Sequence, residues 1–136
     1  EDGSLRDRHL WQLAPLAPDL FALRMDAELD FAAASALERA VVTHVSEQPA
    51  VRHVCLFAHP INRIDVTGVD TVRKLEALLQ ERNITLHISG IKLPVETVLL
   101  RAGCLTPREG LRMYRTDAEA VHALQRLHAF TEDWHI

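Results

Sequence analysis

The stretch Asn62-Arg63-Ile64-Asp65-Val66-Thr67-Gly68-Val69-Asp70 gathers an amide, two carboxylates and a hydroxyl within nine residues. Ahead of it, Val51-Arg52-His53-Val54-Cys55-Leu56-Phe57-Ala58 is apolar at nearly every position after Arg52, as a central strand covered on both faces should be. Beyond Thr67, the residues Val69, Val72, Leu75, Leu78 and Leu79 recur at the helical period and leave Asp70, Arg73, Lys74 and Glu76 for water. The polar cluster therefore falls where a strand ends and a helix begins. Two chemistries suit that place. Thr67 can cap the helix by accepting a hydrogen bond from a free backbone N–H, with Asp70 three residues later completing a capping box. Alternatively, a hydroxyl at a helix N-terminus beside Asp65 and a flexible Gly68 is a point where phosphorylation or an anion would act strongly on partner binding. Asp65 and Asp70, five residues apart across the turn, suit the satisfaction of backbone donors better than acid–base catalysis.

Other chemistry is missing from the chain. Nucleophilic catalysis would need an activated Ser or Cys beside a base, and there is neither a Gly-x-Ser-x-Gly turn nor a Cys-x-x-Cys pair. The phosphate-cradling patterns Gly-x-Gly-x-x-Gly and Gly-x-x-x-x-Gly-Lys are absent too. None of the eight histidines pairs at the i, i+4 spacing of a helical zinc motif. His122 and His128 read as a partly exposed face of the last helix. We therefore expect no catalytic residue, no metal and no cofactor, and a binding or switching module rather than an enzyme.

At 136 residues the chain is sized for one domain with a core that needs no metal or disulfide support. A hydrophobic content of 48% with 25% charged residues is ordinary for a soluble protein, and a net charge of −4 gives no case for nucleic acid. Cys55 and Cys104 lack the spacing of a redox pair and read as reduced packing residues. No apolar run is long enough to span a bilayer, and the start is not built as a signal peptide. It begins Glu1-Asp2-Gly3-Ser4, so residues 1 to about 9 are expected to be an expression remnant or the end of a linker from a longer protein.

The elements that must hold the cluster follow from periodicity. Alternation at Phe21, Leu23 and Met25, resumed from Glu28 to Phe31, predicts a hairpin over residues 20–31. A helix follows from Ala32 to about Glu47, closed by Pro49, and then come the strand at 51–58 and the helix at 68–82. Asn83 suits the left-handed residue that ends that helix. Ile84, Leu86 and Ile88 mark another strand, Pro94 opens a short helix that stops at Gly103, and Leu111 to Arg115 form a last strand. Thr116-Asp117-Ala118-Glu119 is a second capping box, before a helix with Val121, Leu124 and Leu127 on one side. Residues 9–16 read equally as an edge strand or as linker. The order ββαβαβαβα implies an α/β fold with a mixed, largely parallel sheet and helices packed on it.

This order, with Asp65-Val66-Thr67-Gly68 opening the second helix, resembles the STAS domain of sulfate transporters and anti-sigma factor antagonists. The resemblance spans about residues 19–128. It includes Leu29-Asp30-Phe31-Ala32-Ala33-Ala34, the stretch from Ile84 to Lys92, the helix ending Leu99-Leu100-Arg101-Ala102-Gly103-Cys104-Leu105, and the last helix start from Thr116 to Ala123. It implies residues 1–18 as a linker or remnant that could hold an edge strand, a STAS domain over 19–130, and a tail over 131–136. In the antagonists an Asp-x-Ser-Gly motif carries the serine that a partner kinase phosphorylates, and Thr67 stands at that position. In the transporters the domain is a cytoplasmic appendage of a SulP-type anion carrier, supporting assembly, trafficking and regulation. Gly90-Ile91-Lys92-Leu93-Pro94-Val95 and Leu99 to Gly103 look more like the transporter branch, although Ala33 stands where many of those domains have asparagine.

The leading expectation is thus a non-catalytic regulatory domain of a SulP-family sulfate or anion transporter, on the cytoplasmic face of the membrane. Asn62, Asp65, Thr67, Gly68 and Asp70 would form its interaction or nucleotide-responsive surface. Its partners would be the transmembrane domain of the same chain and a regulatory protein, with weak nucleotide binding, no nucleic acid, and a dimer in the intact parent. The alternative is a free-standing anti-sigma factor antagonist switched by phosphorylation at Thr67. A small-molecule-binding or catalytic α/β domain is a third reading, with its ligand beyond the carboxyl ends of the strands, at the 59–68 loop.

Overall fold

A computed structural model describes residues 10–12, 19–25 and 31–129. Its elements are β1 (Leu10–Gln12), β2 (Leu20–Met25), α1 (Phe31–Glu47), β3 (His53–Phe57), α2 (Val66–Glu81), β4 (Thr85–Ser89), α3 (Leu93–Arg101), β5 (Leu111–Tyr114) and α4 (Asp117–Ala129). The strands lie side by side in chain order, β1 antiparallel to β2 and the remaining neighbours parallel.

That order decides where the helices go. Parallel crossovers follow a right-handed rule, and here each new strand is added to the same edge, so the rule puts successive crossover helices on one face of the sheet. The main core accordingly unites Leu23, Met25, Val54, Leu56, Leu86 and Ile88 of the strands with Leu37 and Val41 of α1, Leu75 and Leu79 of α2, and Val95 and Leu99 of α3. Because side chains alternate along a strand, the intervening residues face the other way. There Leu20, Ala22, Cys55 and Phe57 form a second, smaller core with Ala120 and Leu124 of α4. Among the described residues a single helix is thus laid over a four-strand parallel surface, and part of that surface is polar.

The strand and helix positions agree with the periodicity, with one correction. Phe31, read as the end of a second hairpin strand, opens α1 instead; residues 26–30 of that expected hairpin lie outside the described residues. The antiparallel neighbour of β2 is the upstream segment Leu10–Gln12. Two forces favour helix at 31–34: alanine has the highest helical propensity, and Ala33 and Ala34 fit flush against the core, where both are buried. Asn83 (φ 59°) and Gly103 (φ 86°) take the left-handed conformation at the ends of α2 and α3, as expected. Leu105 also sits at φ 59°, costly for a side chain with a Cβ. The Glu76 carboxylate, reaching across from α2, holds it there by accepting the Leu105 N–H at 3.1 Å. No helix among the described residues is long and apolar enough to cross a membrane.

Candidate functional site

The polar cluster lies where the chain leaves the carboxyl end of β3 and enters α2. The loop is pinned from within: Ala58 N–H donates to the Ser89 carbonyl at 2.9 Å, Ile61 N–H donates to the Ala58 carbonyl at 3.0 Å, and the Ile61 side chain is buried. Asn62 is exposed, and its Oδ1 accepts from Lys92 Nζ at 2.5 Å. This bond ties the approach to α2 to the start of α3, so the two helix mouths share one rim.

At the mouth of α2 the cap is Asp65 rather than Thr67. Asp65 has extended backbone (φ −103°, ψ −176°), and its Oδ1 accepts the Gly68 N–H at 2.9 Å. The physical reason is position. A capping side chain must stand just before the first helical residue, and the helix begins at Val66, so Asp65 reaches the third N–H while Thr67 is already inside the first turn. The expected capping box with Asp70 is therefore not formed. Asp70 lies a full turn in, beyond the orphan donors, and pairs instead with Arg73 at 3.1 Å on the exposed side of the helix. Arg73 also donates to the Ala102 carbonyl at 2.7 Å, satisfying an acceptor at the end of α3. Gly68, read as flexible, is a buried first-turn residue of α2.

Relieved of capping, the half-buried Thr67 hydroxyl makes no hydrogen bond among the described residues. Its surroundings are unusual for a helix start. Val66 is 84% exposed and Leu93, at the start of α3, is 72% exposed. The rim thus offers an acidic group, an unbonded hydroxyl and two bare apolar side chains, at the positive end of a helix dipole. A phosphate on Thr67 would meet free first-turn N–H groups and, on its other side, the Asp65 carboxylate.

A second polar arrangement was not singled out from the sequence. On the α4 face, His53 Nδ1 lies 3.0 Å from His87 Nε2, and His87 Nδ1 lies 2.9 Å from the Tyr114 hydroxyl. His87 is 1% exposed. Burial, then the adjacent His53 and Arg112, pulls its pKa down to about 4, so the ring is neutral at pH 7. Each of the three residues fits the alternation of its own strand, but only the register of β3, β4 and β5 lines them up. Nearby, Ser89 Oγ donates to Asp117 Oδ1 at 2.6 Å, joining the end of β4 to the start of α4. Half of the second capping box forms: Glu119 N–H donates to Thr116 Oγ1 at 3.1 Å, while Glu119 Oε1 accepts the Arg115 N–H at 3.2 Å in place of the Thr116 N–H.

Cys55 and Cys104 are free and buried. Burial, with Asp117 as a lesser cause, pushes the Cys55 thiol up to about 12, which fits a packing role. Among the described residues no three His, Cys, Asp or Glu side chains are grouped to hold a metal ion.

Comparison with known proteins follows the fold. No curated protein sequence matches the chain. Among solved structures, the STAS domain of a SulP transporter from Vibrio cholerae is 26% identical, with a TM-score of 0.64 over 85% of this chain and 88% of that one. A sulfate transporter family protein from Wolinella succinogenes is 19% identical, with a TM-score of 0.69 over 85% and 89%. The unphosphorylated anti-sigma factor antagonist SpoIIAA is 18% identical, with a TM-score of 0.64 over 88% and 97%. The family model of the STAS domain matches residues 13–127. Sequence match and sheet architecture agree, and the chain belongs to the STAS domain family.

Proposed function

We propose that this STAS domain is a non-catalytic interaction module of a SulP-type sulfate or anion transporter, and that it docks through the rim formed by the mouths of α2 and α3. The observation that carries the docking surface is the pairing of an unbonded Thr67 hydroxyl with the bare side chains of Val66 and Leu93. Apolar groups so exposed lose water favourably when covered, and Asp65 beside them sets the charge that a partner must match. Asn62, through its bond to Lys92, holds the two mouths together, while Gly68 lies in the first turn behind them and Asp70 pairs with Arg73 a turn further in. The transporter assignment is supported by the higher identity to the Vibrio SulP domain. In this reading residues 19–130 are the domain, 1–18 a linker carrying the β1 edge strand, and 131–136 a tail. The domain faces the cytoplasm, contacts the transmembrane part of the same chain and a regulatory protein, binds nucleotide weakly at the rim, and dimerises within the intact parent.

The coding sequence upstream of residue 1 tests the assignment. Roughly ten or more apolar segments, each of about 20 residues, in the same frame support it; a separate gene ending just upstream refutes it. The docking surface is tested by Val66→Asp and Leu93→Asp, which should abolish association with the transmembrane part while the domain stays folded.

The unbonded Thr67 hydroxyl also favours a second reading, a free-standing anti-sigma factor antagonist with Thr67 as phosphoacceptor. Phosphorylation would place about two negative charges beside Asp65 and expel a partner docked there. Mass spectrometry after incubation with candidate kinases decides it, and equal partner binding by Thr67→Ala and Thr67→Glu would end it.

A further inference from the structure

Among the described residues α4 is the one helix on the second face of the sheet, and at the amino ends of β3, β4 and β5 this face opens into a cavity of about 400 Å³ whose polar lining is His53, Thr85, His87, Arg112, Tyr114 and Arg126. It lies at the opposite end of the sheet from the Asp65–Thr67 rim. Its volume is in the usual range for small-molecule sites, about 300 to 1,000 Å³. Its floor consists of the hydrogen-bonded row of His53, His87 and Tyr114. One wall brings Arg112 from β5, and the other brings Arg126 from α4.

Three features set this cavity apart from an ordinary solvated face. Among the described residues no carboxylate lines it, although the whole chain carries a net charge of −4. Neither guanidinium has a hydrogen-bond or ion-pair partner among the described residues. Two cations drawn from different elements into one concavity repel each other, and an anion between them would reverse the sign of that interaction. Guanidinium is also the side chain best matched to a bidentate oxyanion.

We propose that this cavity binds a small anion carrying a phosphate group, free or as a monoester, held between Arg112 and Arg126 over the His87–Tyr114 floor. The floor supplies a donor that can be redirected. A neutral His87 has one N–H and one lone pair. With the proton on Nδ1 it donates to the Tyr114 oxygen and accepts from His53 Nδ1, which releases the Tyr114 O–H to point at the anion. With the proton on Nε2 the chain runs the other way, and the Tyr114 O–H is spent on His87. Anion binding therefore selects the Nδ1–H tautomer of His87. Thr85, at the first position of β4, adds a hydroxyl at the cavity edge.

The test is NMR titration of the ¹⁵N-labelled full chain at pH 7 with inorganic phosphate and, separately, glycerol 3-phosphate; sodium chloride serves as the ionic-strength control. Saturable shifts at residues 85–87, 112–114 and 123–127, with a dissociation constant of about 1 mM or tighter and a change of His87 to the Nδ1–H form, are expected from at least one phosphate. Tighter binding of the ester than of inorganic phosphate identifies an organic ligand, and the reverse order identifies the free ion. Arg112→Gln and Arg126→Gln should each weaken binding about tenfold with little change in melting temperature, since both side chains are exposed. Arg115→Gln, an equal change of charge outside the cavity, should leave binding unchanged. Shifts that do not saturate, shifts confined to residues 62–70, an unchanged His87 tautomer on saturation, or equal binding by the arginine variants would each overturn the proposal.

Discussion

His87 makes a pH-dependent contribution to stability whose size follows from its place under α4. Among the described residues, the groups facing it are His53 from β3, Arg112 and Tyr114 from β5, and Arg126 across the cavity from α4. None supplies the negative charge that would stabilise an imidazolium. The folded pKa is about 4 against an ordinary 6.5, so folding favours the neutral ring. The stabilisation is present above pH 6.5 and lost as the pH falls toward 4, because over that interval the unfolded chain binds the proton that the native ring refuses. At about 1.4 kcal/mol per pH unit, the whole gap corresponds to roughly 3 kcal/mol. Partial solvation through the open cavity makes this an upper figure. Set against a typical total of about 5 to 15 kcal/mol, it is a large share. Urea denaturation of the wild-type chain and of His87→Gln at pH 7.0, 6.0, 5.0 and 4.5 isolates the effect, since glutamine keeps polar contacts but does not titrate. The variant is expected to be less stable at pH 7 and to lose stability more slowly on acidification, so that the two curves converge. Parallel curves, or a His87 resonance titrating near 6.5 in the folded protein, would refute the reasoning.

Three further outcomes are expected. Asp65→Ala should cost about 1 kcal/mol in chemical denaturation by removing the cap on Gly68 N–H, whereas Asp65→Asn should be nearly neutral, since an amide oxygen caps as well. Glu76→Ala should cost about 1 to 3 kcal/mol, because the left-handed, buried Leu105 loses the acceptor of its N–H; hydrogen exchange at Leu105 should accelerate in step. Cys55, buried with its pKa raised to about 12, should resist thiol reagents in the native state and react only at the rate of opening; prompt labelling without denaturant would contradict the packing.

Periodicity carried most of the fold, for reasons visible at particular residues. Strands at 53–57 and 85–89 and a helix at 66–81 could be located because burial on a two-residue or 3.6-residue period is written directly into apolar spacing. Asn83 and Gly103 as helix ends were legible because few residues tolerate a positive φ. The polar cluster at 62–70 was legible as a helix mouth, but not which side chain caps it. That depended on whether the first helical residue was 66 or 68, a backbone choice that Asp65 and Thr67 are equally fit to serve.

The sequence by itself determined the alternation of strands and helices, the parallel sheet that such alternation demands, and the place of Asp65 and Thr67 at the entrance of a helix. These follow from interactions between residues within a few positions of each other. Only the tertiary structure decided that Leu10–Gln12 is the antiparallel neighbour of β2 and that α4 packs on the second face. It also decided that His53, His87 and Tyr114, separated by 34 and 27 residues, meet in a row beneath two arginines. Strand register and helix placement are set by the packing of the whole domain at once, and a side chain's spacing along the chain carries no record of which distant partner that packing will bring to it.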